Sequence, residues 1–201
     1  MTLYDLKPRF QDLLRPFVAE LARRGITANQ VTILAAAGSV LLGIVLALAP
    51  ARLLFLLVPL WLFIRMALNA IDGMLAREFG QKSDLGAYLN EICDVVSDAA
   101  VYLPFAMLAP FSPAWVVIVV ILAALTEFAG VLGPGIGASR RYDGPLGKSD
   151  RAFVFGALAF WIGIGGAMPD WLAWLMPLIA LLLAVTIARR VSRGLAEAKI
   201  A

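Results

Sequence analysis

Six apolar stretches, at approximately 31–49, 53–76, 85–109, 114–134, 152–168 and 171–188, divide the 201-residue chain. A helix needs about 20 predominantly apolar residues to cross the hydrocarbon of a bilayer. In lipid every backbone N–H and C=O must be satisfied within the segment, so runs of this length fold as helices. The breaks fall at Ala49-Pro50-Ala51-Arg52, Arg77 to Asp84, Pro110 to Pro113, Gly135 to Arg151 and Met168-Pro169-Asp170. Composition agrees, since 62% of residues are hydrophobic and 15% charged, too little charge to coat a water-soluble surface. The predicted fold class is an all-α integral membrane protein, with six transmembrane helices preceded by an amphipathic interfacial helix. It forms a single membrane domain over 1–201, divided into the interfacial helix at 1–26 and the six-helix bundle at 27–201. No internal repeat and no second domain is evident.

The basic residues orient the bundle. Lys7, Arg9, Arg15, Arg23 and Arg24 precede the first span, Arg77 and Lys82 follow the second, and Arg140, Arg141, Lys148 and Arg151 follow the fourth. Arg189, Arg190, Arg193 and Lys199 follow the sixth, so 15 of the 17 Lys and Arg lie on alternate connections. Arg52 is on the opposite side and Arg65 is inside the second span. The positive-inside rule then predicts cytoplasmic N and C termini, and the basic residues coat the face that meets anionic headgroups rather than a nucleic acid. No cleavable signal is expected, because the first thirty residues hold no uninterrupted apolar run. Leu3, Leu6, Phe10, Leu13, Leu14, Phe17, Val18 and Leu21 recur at three-to-four spacing between charges, which predicts an amphipathic helix lying in the cytoplasmic interface. Thr27-Ala28-Asn29-Gln30 supplies an N-cap for the first span, and Trp115, Trp171 and Trp174 mark the far interface.

Ionisable groups inside spans are costly unless they face a wet cavity, a partner or a metal. On the second span Asn69, Asp72, Gly73 and Ala76 share one helical face, with Arg77 at its edge. At the start of the third, Asn90, Glu91, Asp94 and Asp98 share a narrow arc. The short turn between these spans makes them antiparallel neighbours, so the polar faces meet just below the cytoplasmic surface. Converging carboxylates repel in low dielectric unless cations sit between them, and a divalent metal site is the simplest resolution. Helix packing through small and polar residues is the alternative. Glu127, alone in the fourth span, fits a hydrogen-bonded structural role equally well. With no histidine and only Cys93 as a thiol, a disulfide scaffold and a zinc site are disfavoured, and any metal would be a hard, oxygen-bound ion.

These residues resemble the CDP-alcohol phosphatidyltransferase family, whose signature is D-x2-D-G-x2-A-R-x8-G-x3-D-x3-D. The chain reads Asn69-x2-Asp72-Gly73-x2-Ala76-Arg77-x8-Gly86-x3-Asn90-x3-Asp94, with every spacing kept and two aspartates replaced by asparagine. The resemblance extends to an interfacial helix, an Asn/Thr element at Asn29 to Thr32, and six spans. It implies transfer of a phosphatidyl group from a CDP-linked lipid, such as CDP-diacylglycerol, to an acceptor alcohol with release of CMP. It also implies one or two Mg²⁺ or Mn²⁺ ions, a homodimer, and the inner membrane of a prokaryote. Carried over, Asp94 is the base, with Asp98 as a second candidate for catalytic work. Asn69, Asp72, Asn90 and Asp94 fall at metal positions, where Glu91 and Asp98 are placed to compensate for the missing charges. Asn29, Thr32, Gly73, Ala76, Arg77 and Gly86 fall at nucleotide or phosphate positions. Three outcomes of the Asn substitutions stay open: one metal, compensation by the other carboxylates, or a catalytically degenerate protein that binds CDP-lipid or assists a partner enzyme.

The cytoplasmic loop from Gly137 to Arg151 carries four cations. Family members with phosphorylated acceptors have a Gly- and Lys-rich element at a similar place, so Lys148, Arg151 and Arg141 are the candidates for binding such an acceptor. A positive-inside loop is the other reading, and Arg140 and Arg141 suit it well.

Overall fold

The computed structural model describes residues 3–49 and 51–199, with side chains from Phe10 onward. Met1, Thr2, Pro50, Ile200 and Ala201, which bound or punctuate the segments assigned above, lie outside the described residues, as do the side chains of Leu3, Leu6, Lys7 and Arg9. The described residues form seven α-helices: α1 (Leu3–Arg23), α2 (Ala28–Leu48), α3 (Leu57–Glu78), α4 (Asp84–Tyr102), α5 (Pro113–Val131), α6 (Lys148–Gly163) and α7 (Leu175–Ala198). No strand occurs among them.

Each apolar stretch of the sequence falls on one of α2 to α7. Four runs are long and apolar enough to cross a membrane: α2, Arg52–Glu78, α5 and Asp170–Ala198. The second and fourth of these join a 3-10 turn to α3 and α7. The other two helices fall short for identifiable reasons. α4 carries Asp84, Glu91, Asp94 and Asp98, and it gives way to a 3-10 turn (Leu103–Met107) because Pro104 has no N–H to continue the helix. α6 has 16 residues, ends before the left-handed Gly165 (φ 82°), and leaves the predicted 152–168 span short of its last five positions.

Packing is tightest where small residues face each other. α2 lies against both α3 and α4, α5 against α7, and α6 against α3 and the 3-10 turn before it. A Cβ at Gly43 would lie 2.3 Å from the Ala100 carbonyl oxygen, so glycine there permits the close approach of α2 and α4. The main core gathers Phe55, Val58, Val101, Tyr102, Phe105, Phe155, Ile162 and Met176. Tyr102 stacks on Phe155 at 3.9 Å, and Phe105 meets the edges of Phe55 and Phe155 at 5.1 Å. Large side chains such as Leu41, Phe63, Ile121 and Leu181 remain exposed on the outside, as a lipid-facing surface requires.

A smaller core seats α1. Leu14, Val18 and Leu21 pack against Ala28 and Val31 of α2 and Ile71, Met74 and Leu75 of α3. Arg15 adds an ion pair to Glu78 at 3.2 Å. Leu13 and Phe17 stay on the outer side of the helix, 75% and 54% exposed. The apolar arc read from the sequence is therefore wider than the surface α1 buries.

Candidate functional site

The site begins at three helix ends. Thr27 caps α2 in a reciprocal box, its Oγ1 accepting from the Gln30 N–H at 3.2 Å while Gln30 Oε1 accepts from the Thr27 N–H at 2.9 Å. Gln81, in the loop after α3, ties that end down: its Oε1 accepts from the Ala28 N–H (2.7 Å) and its Nε2 donates to the Ile26 carbonyl (3.3 Å). Ser83 caps α4 by accepting from the Gly86 N–H at 3.0 Å.

Between these ends opens a cavity of about 560 Å³. Its wall includes Asn29 and Thr32 from α2, Asp72, Gly73, Ala76 and Arg77 from α3, Gln81 and Lys82 from the loop, and Gly86 and Asn90 from α4. All six residues read from the sequence as nucleotide or phosphate candidates are thus brought together. The first turns of α2 and α4 both border the cavity, and unpaired N–H groups with the helix dipole make such ends attractive to phosphate. Gly73 lies beneath the Arg77 guanidinium, where a Cβ would sit 2.8 Å from Nη2. Gly86 leaves space for Asn29, whose Oδ1 would be 2.9 Å from a Cβ there. Gln81 and Ser83 were not singled out in the sequence. A polar pair immediately after the Arg77 element was the signal available.

Asp72 is buried at the inner wall of the cavity. The Thr32 hydroxyl lies 2.8 Å from its Oδ2 and 3.1 Å from the Ala28 carbonyl, so its one proton serves either acceptor in turn. Among the described residues no Lys or Arg makes an ion pair with Asp72, unlike Glu91, Asp94 and Asp98 of α4.

Those acids do not converge on Asp72. Asp98, 5% exposed, is clamped between two arginines: Arg65 Nη1 donates to Oδ1 at 2.6 Å and Arg151 Nη2 to Oδ2 at 2.9 Å. Arg151 continues to Glu127 Oε1 and Thr126 Oγ1, both at 3.0 Å, and Arg190 approaches Glu127 Oε2 at 3.6 Å. Asp94 contacts the Lys148 ammonium through Oδ2 and Arg65 Nη2 (3.2 Å) through Oδ1. Glu91 is held by both terminal nitrogens of Arg140, one at 2.9 Å. Partial burial works to lower the Arg140 pKa, but the hydrogen bond and charge of Glu91 outweigh it and the pKa is raised.

Several sequence assignments are corrected by this arrangement. The oxygens of Asp98 and Glu91 are engaged by guanidinium groups from α3, α6 and the loop after α5, so a metal-binding or proton-transfer role for either requires those ion pairs to open. Arg151 is 1% exposed and answers two buried carboxylates, Asp98 and Glu127. Arg141 pairs with Asp143 and Glu197 away from the cavity. Lys148, one-third exposed beside Asp94, is the acceptor candidate that meets the hairpin while keeping access to solvent. Asn69 is half-buried on α3 outside the cavity wall. Among the described residues no three acidic, histidine or cysteine side chains gather around one point. The oxygen donors of Asp72 and Asn90 on the cavity wall still suit a hard divalent ion whose remaining ligands come from water and substrate phosphate.

A helical bundle with apolar exterior, a polar cavity at two helix N-termini and a buried carboxylate in its wall is the mark of a membrane protein that handles a phosphorylated ligand. Residues 25–186 match the model of the CDP-alcohol phosphatidyltransferase family, and the chain belongs to that family. It is 50% identical over 174 residues to the inner membrane protein YnbA of Escherichia coli (strain K12), which covers 87% of this chain and 85% of that protein. A phosphatidylinositol phosphate synthase of Mycobacteroides abscessus is 30% identical over 186 residues, 90% of this chain and 83% of the relative. Among solved structures, the Mycobacterium tuberculosis phosphatidylinositol phosphate synthase with CDP-DAG bound superposes with a TM-score of 0.68 at 22% identity, covering 89% of this chain and 92% of that one. The same synthase in complex with manganese and citrate gives 0.67 at 22% identity, over 89% and 87%. At this identity the likeness speaks for the fold.

Proposed function

We propose that this protein transfers a phosphatidyl group from a CDP-linked lipid, CDP-diacylglycerol being the model donor, to an acceptor alcohol and releases CMP in phospholipid synthesis. The observation that carries this reading is the convergence of Asn29, Thr32, Gly73, Ala76, Arg77 and Gly86 on one cavity whose inner wall holds Asp72. Membership of the CDP-alcohol phosphatidyltransferase family supports it. The acceptor oxygen attacks the lipid-side phosphorus, the bond to the CMP phosphate breaks, and CMP leaves with the bond's electron pair. Asp94 takes the acceptor proton, and Lys148 beside it faces the incoming alcohol, with room for a phosphorylated one. Asp72, with the amide oxygen of Asn90 on the same wall, would hold Mg²⁺ or Mn²⁺, which would neutralise the diphosphate as charge moves onto the leaving group. Arg77 and the two helix N-termini hold the phosphates in line, which in phosphoryl transfer is most of the catalysis.

In this reading one membrane domain acts from the inner membrane of a prokaryote, with α2 to α7 as six spans, both termini cytoplasmic, and α1 in the interface. A homodimer is its working form. The test is CMP release by the purified protein with CDP-diacylglycerol, Mg²⁺ or Mn²⁺ and a panel of alcohols. Asp72→Ala and Asp94→Ala are each expected to lower turnover by at least ~100-fold, the usual scale for a lost transition-state contact. Equal turnover in wild type and both variants defeats the assignment. The amides at 69 and 90 favour a second reading, a catalytically degenerate relative that holds CDP-lipid or assists a partner enzyme. Tight CDP binding with no CMP release under any acceptor would establish that one.

A further inference from the structure

Six carboxylates sit on the α3–α4 hairpin: Glu78 pairs with Arg15 and Asp84 is exposed at the mouth of the cavity, and among the other four cations are shared unequally. Glu91 has both oxygens on Arg140, and Asp98 has one on Arg65 and one on Arg151. Asp94 has one on Arg65 and the other on Lys148. Asp72 alone of the four makes no ion pair among the described residues, and it faces the cavity. We propose that the site holds one divalent ion, at Asp72, and that the Lys148 ammonium fixed on Asp94 supplies its second positive centre. This rests on the reading that the ligand is a diphosphate.

The charge balance carries the step. Asn69 and Asn90 offer neutral oxygens, so Asp72 and Asp94 are the only anions of the motif, and Lys148 cancels one of them. A second ion must therefore displace Lys148 from Asp94, or Arg65 and Arg151 from Asp98. The latter takes one carboxylate from each of two nearly inaccessible guanidinium groups, leaving Arg65 with Asp94 alone and Arg151 with Glu127 alone, which is the costly way to open a buried pair. The position of Lys148 supports its role. It is the first residue of α6, where the helix dipole disfavours a cation. Asp94 of the hairpin, together with the first-turn Asp150 of α6 itself, offsets that penalty.

The experiment is a titration of the full-length protein in detergent with Mn²⁺, with free ion followed by its paramagnetic resonance signal. Wild type is expected to bind one Mn²⁺ per chain, and Asp72→Asn none. Lys148→Met should admit a second, weaker ion. Adding N69D and N90D to Lys148→Met should strengthen that second ion at least tenfold. Two ions bound to wild type, none bound, or a count of one in Lys148→Met each overturn the proposal. CMP release measured on the same preparations separates the two readings. Turnover with two ions rejects this inference and leaves the activity standing, whereas one ion without turnover rejects the activity and keeps the count.

Discussion

Asp98→Asn separates a structural carboxylate from a catalytic one. The side chain is 5% exposed and receives 2.6 Å and 2.9 Å hydrogen bonds from Arg65 and Arg151, themselves 3% and 1% exposed. Asparagine keeps the volume but removes the charge between two guanidinium groups, and its amide protons oppose one of them. Breaking a buried pair by removing one partner costs about 3–5 kcal/mol, and here Arg65 would keep only Asp94 and Arg151 only Glu127. For a chain of this size 1 kcal/mol moves the melting temperature by about 2–4 °C. The variant is therefore expected to melt roughly 6–20 °C below wild type. Tryptophan fluorescence in detergent measures this, with Arg193→Ala as the exposed control. The Mn²⁺ concentration giving half-maximal CMP release should not move in the fraction that stays folded. A melting temperature within 2 °C of the Arg193→Ala control, with turnover abolished or its Mn²⁺ dependence shifted, would refute the clamp and return Asp98 to the reacting groups.

Gly86→Ala places a Cβ 2.9 Å from Asn29 Oδ1 and drives that side chain into the cavity. The KM for CDP-diacylglycerol should rise about tenfold, equivalent to ~1.4 kcal/mol, with little change in melting temperature; an unchanged KM removes Asn29 from the nucleotide wall. Gln81→Ala deletes both bonds that hold the start of α2, leaving the Ala28 N–H and the Ile26 carbonyl unpaired. A loss of about 1–3 kcal/mol is expected, together with faster amide exchange at Ala28 by mass spectrometry, and unaltered exchange there would show that the capping box suffices alone.

The elements were largely legible in the sequence because lipid makes apolar length decisive. The N-cap at Thr27 followed from residue type and the shared face of Asp72, Gly73 and Ala76 from helical spacing, whereas Asn29, Thr32 and Gly86 entered through the resemblance to the family's motif. The destiny of the α4 acids was not legible. A helical projection places Glu91, Asp94 and Asp98 on one arc, but it is silent about side chains arriving from elsewhere in the chain. Arg65 and Glu127 stood out as charges inside spans, and each implied a partner. Asp94 and Asp98 of α4 answer Arg65, while Arg151, an acceptor candidate in the sequence, and Arg190, an orientation charge, answer Glu127. A long arginine at a helix end reaches inward as readily as toward the headgroups, and only the packing of α5, α6 and α7 decides which.

That packing also explains why one carboxylate was left for a ligand. α2 contains no Asp, Glu, Lys or Arg, so the hairpin face that meets it can be answered only by hydroxyls and amides. Thr32 is what α2 offers Asp72. The opposite face meets α6 and, through Glu127 and Thr126, the arginines that neutralise α5. Carboxylates turned that way are saturated by cations before any ligand arrives. Asp72 is therefore left without an ion pair among the described residues, and in the proposed function a divalent ion accompanying a diphosphate would offset its charge.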